Sequence, residues 1–265
     1  MGEFRFDPDM SYLMPAHFGG TPLASWTYAE VTTVGISYRT DRDALSRYIP
    51  QCFIATDPVV EIGYAMNRGV EWMAGGGYNL VAVNVPVEYR DGAERISGSY
   101  ALVVWESDPT PILGGREQTG IPKIFADVAD LHVLGDRILG NVSFDGSTFL
   151  RISARRGDAL TQAELADLNR NGGHLDWFGW RYIPNSGRPG AALNHPTLYP
   201  IEYDYTAGWR ADGDVDWQLL TWEQNPTQAH IIEALGHLPV EAYTGCLVTV
   251  GSQQIRVDKA RELAW

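Results

Sequence analysis

Between Tyr78 and Tyr89 the chain repeats with a period of two: Val81, Val83, Val85 and Val87 fall on one side, Leu80, Ala82, Asn84 and Glu88 on the other. An extended strand gives that repeat, because successive side chains point to opposite faces of a sheet. Valine in every second place also suits a pleated, buried surface. Val142 to Ile152 alternates in the same way around Asp145-Gly146, a dipeptide suited to the positive φ angles of a tight hairpin turn. Shorter runs at Ala101 to Trp105 and Leu247 to Val250 read as further strands. A chain patterned like this must bury its apolar sheet faces against one another.

Helical signals are few. Asp41 through Tyr48 has the form of a short capped helix. In Thr161 to Asn171, Thr161 and Glu164 fit a capping box, Leu165 and Leu168 share the buried side, and Gly172-Gly173 supplies the stop. Residues 1 to 26, rich in proline, glycine and aromatic side chains, read as an irregular arm packed on the rest. No internal repeat or low-complexity linker interrupts the 265 residues, so one domain, 1 to 265, is expected. The fold class that follows is α+β, mostly antiparallel sheet with a few flanking helices.

The net charge of −13, with no basic cluster, makes nucleic acid and anionic membrane surfaces poor partners. No apolar run approaches the roughly 18 residues that span a bilayer. Met1 to Gly20 lacks a basic start followed by a hydrophobic stretch, so the reading is cytoplasmic. Cys52 and Cys246 are too few and too distant for a disulfide framework and read as buried apolar fillers. The histidines show neither H-x-H nor H-E-x-x-H spacing, and no G-x-S-x-G, Walker loop or G-x-G-x-x-G before a helix occurs. Neither a metal nor a cofactor is expected. Gly75-Gly76-Gly77 reads as a loop before a strand, and Trp209, Trp217 and Trp222 as core or subunit interface.

Only two lysines stand against eighteen arginines, and Lys123 lies in the almost uncharged run from Gly114 to Ala126. Ile121, Pro122, Ile124 and Phe125 would give it apolar walls. Such a lysine either lays its stem on the core and its head in water, or is held inside as a neutral amine. A neutral amine can attack a carbonyl carbon and form a Schiff base.

Gly115-Arg116-Glu117, Gly120 and Pro122-Lys123 resemble the signature of the acetoacetate decarboxylase family, in which the lysine after the proline forms a Schiff base with a keto acid. Matches continue in order at Tyr38-Arg39-Thr40-Asp41, at Val85-Pro86-Val87 with Gly98-Ser99-Tyr100, at Ile183-Pro184-Asn185 and at Leu238-Pro239-Val240. The resemblance spans roughly residues 20 to 260 and implies a closed or cone-like barrel enclosing Lys123, a homo-oligomer, and a lyase without a cofactor. Three departures touch the chemistry. The decarboxylases' second lysine is Ile124 here, a glutamate is replaced in Tyr78-Asn79-Leu80, and an active-site arginine falls near Val31. If residues 123 and 124 are extended, Ile124 points away from the amine, and desolvation is left as the main activating influence. Leu80 is then either simple core or the pocket wall where a charged group would otherwise stand.

A protonated Schiff base is an electron sink for more than one reaction. With a 3-oxo acid it releases carbon dioxide; with a 2-oxo acid such as pyruvate it gives an enamine that attacks an aldehyde, and loss of water follows. Relatives lacking the second lysine or the glutamate resemble aldolase-dehydratases, and this sequence is similar to that branch. The resemblance implies Lys123 as nucleophile and Leu80 as pocket lining; Arg116 is the available cation, its planar fork suited to the substrate carboxylate, and Glu117, as the catalytic proton-transfer group, with Gln118 and Tyr78 at the substrate, are the candidates for hydrogen-bonding the intermediate or moving protons. Arg116 could equally pair with Glu117, and the polar residues could equally be structural. The implied partners are a small oxo acid and an aldehyde. Decarboxylation of acetoacetate or another 3-oxo acid, and non-catalytic binding of a keto acid on the same scaffold, are the alternatives.

Overall fold

The computed structural model describes residues 2–265 and is dominated by strands. These are β1 (Ser25–Arg39), β2 (Phe53–Ala55), β3 (Val59–Val70), β4 (Gly76–Asp91), β5 (Glu94–Glu106), β6 (Lys123–Phe125), β7 (Asp127–Val128), β8 (His132–Leu134), β9 (Arg137–Phe144), β10 (Ser147–Ala159), β11 (His174–Pro184), β12 (Ala191–Trp217), β13 (Ala242–Arg256) and β14 (Arg261–Glu262). The helices are α1 (Arg42–Ser46), α2 (Pro109–Gln118), α3 (Gln162–Gly172) and α4 (Ala229–Gly236).

One sheet holds all the strands, and it closes on itself. Its order runs β11-β5-β4-β3-β1-β13-β12, and β11 pairs again with β12, which completes a ring. Neighbours in the ring are antiparallel except β5 and β11, which run parallel over only two residue pairs, Trp177 with Ser99 and Phe178 with Tyr100. A Cβ on Gly98 would lie 2.1 Å from the carbonyl oxygen of Asp176, so glycine lets the two strands meet there. The expected antiparallel sheet and closed barrel are both present.

β12, 27 residues long, leaves the ring to pair with β10, and β10, β9 and β7 form a ribbon that folds back over the outside. The main core lies between ring and ribbon. There Val81, Val83, Val85 and Val87 meet Ile138, Val142, Leu150 and Ile152, while the opposite faces of the ring strands turn inward. The alternation in β4 therefore separates core from barrel interior, not core from solvent. Tyr64 pins the layers together, its hydroxyl donating to Asn141 O at 3.0 Å.

Local chemistry explains the smaller elements. Asp145 and Gly146 take φ of 47° and 78° in the turn between β9 and β10. Asp41 caps α1 by accepting from Ala44 N at 2.7 Å, and Thr161 with Glu164 forms the capping box of α3. The arm folds back on itself through the bridge between Ser11 and Thr21.

Several expectations need correction. Cys52 and Cys246 pack against the main core as expected but are only half-buried, and burial pushes both thiols up. Gly76 and Gly77 belong to β4, because a Cβ on Gly77 would stand 2.2 Å from Asn67 O and only glycine permits that approach. Trp209 and Trp217 do pack against the core, Trp217 with its ring centroid 6.0 Å from that of Trp105, and only Trp222 stands outside it, exposed. Helix α2 was not anticipated: Pro109, Pro111 and the Gly114-Gly115 pair are poor helix formers. Among the described residues, no helix is long and apolar enough to cross a membrane.

Candidate active site

Lys123 opens β6, which pairs in parallel with the end of β5 so that Val104 lies opposite Lys123 and Glu106 opposite Phe125. Lys123 and Glu106 thereby share the inward face, and Ile124 turns into the main core. Helix α2 closes over the amine. Pro111 O accepts from Lys123 Nζ at 3.2 Å, and Arg116 donates to Lys123 O at 3.0 Å. The chain returns from α2 to β6 through Gly120, whose φ of 69° suits glycine. A Cβ at Gly115 would lie 2.3 Å from Lys123 Cδ, so the lysine stem rests on bare helix backbone.

Lys123 is 7% exposed and Glu106 0%. Glu106 Oε1 lies 2.9 Å from Lys123 Nζ. The angles are not those of a hydrogen bond, however, and neither carboxylate oxygen has a hydrogen-bond partner among the described residues. Burial pushes the Glu106 carboxyl up, and the neighbouring Lys123 only partly opposes this. A buried carboxylate held by one cation is an expensive arrangement for a core to keep. Sequence reading missed Glu106. Its one signal is a charge ending the apolar run Ala101 to Trp105.

Two hollows converge on Lys123. The inner one, about 120 Å³, is the bore of the ring; Val31, Asn67, Tyr78, Leu80 and Gln253 are among its walls. The outer one, about 350 Å³, lies beneath the arm and α2, with Leu13, Leu23, Trp26 and Trp72 giving it an apolar lining. Tyr28, Tyr199 and Ile255 border both, and among the described residues Lys123 is the only charged side chain lining either. The Tyr28 and Tyr78 hydroxyls are 3.1 Å apart, and the Trp72 indole N–H donates to Tyr28 at 3.2 Å. Burial pushes Tyr28, Tyr78 and Tyr199 up, with Lys123 partly offsetting the effect at Tyr28, so all three are protonated donors at neutral pH.

Of the residues expected around a substrate, Tyr78 and Leu80 line the inner hollow and Gln118 the outer. Gln118 also donates to Ser11 Oγ at 2.8 Å. Arg116 and Glu117 line neither hollow. The Arg116 guanidinium is engaged by the main chain of Lys123, and the Glu117 carboxylate accepts from Met14 N at 3.3 Å, tying down the arm. Successive residues of α2 point about 100° apart, so three consecutive side chains cannot all face one hollow. Beside desolvation, expected as the main activating influence, the structure adds a carboxylate next to the amine.

A buried lysine beside a buried carboxyl group, open to two hollows without another charged lining side chain among the described residues, is equipped to form an imine with a small carbonyl compound. The family model for acetoacetate decarboxylase matches residues 13–253. Acetoacetate decarboxylases of Burkholderia cenocepacia and Burkholderia multivorans are 33% and 32% identical over 134 residues. That match spans 51% of this chain and 52% of theirs, about half of each. Among solved structures, the acetoacetate decarboxylase of Legionella pneumophila superposes with a TM-score of 0.75 at 17% identity, covering 92% of this chain and 88% of that one. The enduracididine biosynthesis enzyme MppR complexed with pyruvate gives 0.72 at 15%, covering 97% and 99%. The fold is thus shared by decarboxylases and by a pyruvate-binding biosynthetic enzyme, and with the family model spanning 13–253 of its 265 residues, the chain belongs to the acetoacetate decarboxylase family.

Proposed function

We propose that the chain is a Schiff-base lyase that condenses pyruvate or a similar small 2-oxo acid with an aldehyde and then expels water. Lys123 attacks the ketone carbon, and water leaves to give the iminium. Loss of a proton from the adjacent carbon gives an enamine, which adds to the aldehyde carbonyl. Dehydration and hydrolysis then release an unsaturated oxo acid and free the lysine. The observation that carries this reading is the meeting of two hollows at one amine. The inner, smaller one suits the oxo acid and the outer, apolar one a larger aldehyde, whereas a decarboxylase needs room for one substrate only. The retained carboxylate would lie among neutral donors, the Tyr78 hydroxyl and the Asn67 and Gln253 amides. MppR, similar in fold, is known complexed with the condensation product of pyruvate and imidazole 4-carboxaldehyde, which supports the same chemistry here.

One observation favours a second reading, decarboxylation of a 3-oxo acid. Among the described residues no arginine lines either hollow. An apolar site favours a step in which an iminium and a carboxylate become a neutral enamine and carbon dioxide, because two charges vanish together.

Borohydride reduction with pyruvate or acetoacetate, read by intact mass, tests the shared chemistry: an adduct is expected in the wild type and none in Lys123→Ala. A conjugated product from pyruvate plus an aromatic aldehyde supports condensation. Carbon dioxide from acetoacetate without any condensation product would replace it by the second reading.

A further inference from the structure

We infer that Glu106 is a catalytic residue: it takes a proton from the Lys123 ammonium as the substrate carbonyl arrives and returns it as the imine forms. This rests on the Schiff-base reading and adds to it the group that carries protons between the lysine nitrogen and the substrate oxygen. Three observations converge. Glu106 Oε1 lies 2.9 Å from Nζ, the atom that must lose a proton before it can attack. Both its oxygens are buried without a hydrogen-bond partner, which leaves them free to bind a proton. And among the described residues the acid or base groups lining the hollows are Lys123 and tyrosine hydroxyls that burial keeps protonated, while Glu106 stands directly behind Nζ and reaches the hollows only past that atom.

The transfers balance. The ammonium gives one proton to the Glu106 carboxylate, leaving a neutral amine and a neutral acid. The amine nitrogen bonds to the ketone carbon, and the oxygen, now negative, takes the proton back from Glu106. The nitrogen, carrying two protons and a positive charge, gives one to Glu106, and Glu106 delivers it to the hydroxyl, which leaves as water. The iminium carries the charge the ammonium began with, and Glu106 ends as its counterion. No net proton is consumed.

The groups facing the pair are Tyr28 from β1, Tyr78 from β4, Tyr199 from β12 and Asp108 at the start of α2. The tyrosines do not ionise near neutrality, and the other charged groups beside the pair are Asp108 and the Arg116 guanidinium, which donates to Lys123 O at 3.0 Å.

The test compares wild type, Glu106→Gln and Glu106→Asp in two reactions of Lys123. One is borohydride trapping with pyruvate and with acetoacetate, followed by mass over time. The other is acetylation by acetic anhydride at neutral pH, read on the Lys123 peptide; its leaving group needs no proton donor. In Glu106→Gln, imine trapping is expected to slow about 100-fold, the scale of a lost general acid–base group. Acetylation should rise, because the anion that holds the proton on the amine is gone. Glu106→Asp should recover part of the trapping rate. A merely structural role would move both reactions of Lys123 downward together. Trapping in Glu106→Gln at the wild-type rate, or a parallel fall of both reactions, overturns the proposal while the wild-type adduct leaves the Schiff-base reading standing. Absence of any wild-type adduct removes that reading and this proposal with it.

Discussion

A methyl group at residue 115 would collide with the lysine stem, since the position of a Cβ there is 2.5 Å from Lys123 Cε and 2.9 Å from Nζ. Gly115→Ala should therefore push the amine out of register with Glu106. A tenfold or greater loss in the rate of borohydride trapping is expected, with destabilisation of about 1–3 kcal/mol in a thermal melt from overpacking. Loss of trapping with an unchanged melting temperature would place the effect on the amine alone. Lys123 was legible in the sequence because its neighbours are apolar and its flanking glycines and proline are distinctive. Glu106 was not, for it meets Lys123 only through the parallel pairing of β5 with β6, and nothing local announces a contact seventeen residues away. Arg116 and Glu117 looked like site residues because they adjoin Gly115 in the chain; on a helix, adjacency in sequence is divergence in space.

Helix α3 is the element whose stability follows most directly from its ends. Thr161→Ala removes the cap and should cost about 0.5–2 kcal/mol, measurable by urea unfolding. Glu164 adds a pH dependence. Hydrogen bonds from Arg210 first, then from Thr161, pull its carboxyl down to about 2 from an ordinary 4.5. A depressed acid contributes stability above its unfolded value and loses it as pH falls through the folded one, so this contribution should fade between 4.5 and about 2. Acid unfolding of Glu164→Gln should be correspondingly flatter over that range. α3 and the β9–β10 hairpin could be read beforehand because a cap or a two-residue turn is decided within a few residues. α2 could not, because its glycines serve the lysine beneath it and hide any helical period.

At the alkaline end the whole molecule's pH sensitivity lies in tyrosines spread around the ring, among them the buried Tyr38 and the half-buried Tyr205. Burial pushes Tyr38 and Tyr205 up to about 12 from 10.0. A raised group contributes stability that is full below its unfolded value and is lost as pH rises through the folded one. Each should withdraw roughly 2–3 kcal/mol between 10 and 12. Tyrosinate absorbance is expected to rise in one cooperative step with the loss of circular dichroism, not as a gradual titration. The antiparallel class could be inferred from alternation alone, but ring closure could not, since strand patterning says which face is buried and never which edges meet.

That closure is unequal around its circumference. Long ladders fasten every other joint, while β5 and β11 are clasped by two residue pairs, so the barrel is a collar with one short catch. Local opening costs least where the fewest bonds must part, and β6 hangs on the same edge of β5, a few residues beyond the catch. Any breathing of the collar is thus felt first at the lysine, which makes the weakest fastening of the wall the natural place for a guest molecule to slip in.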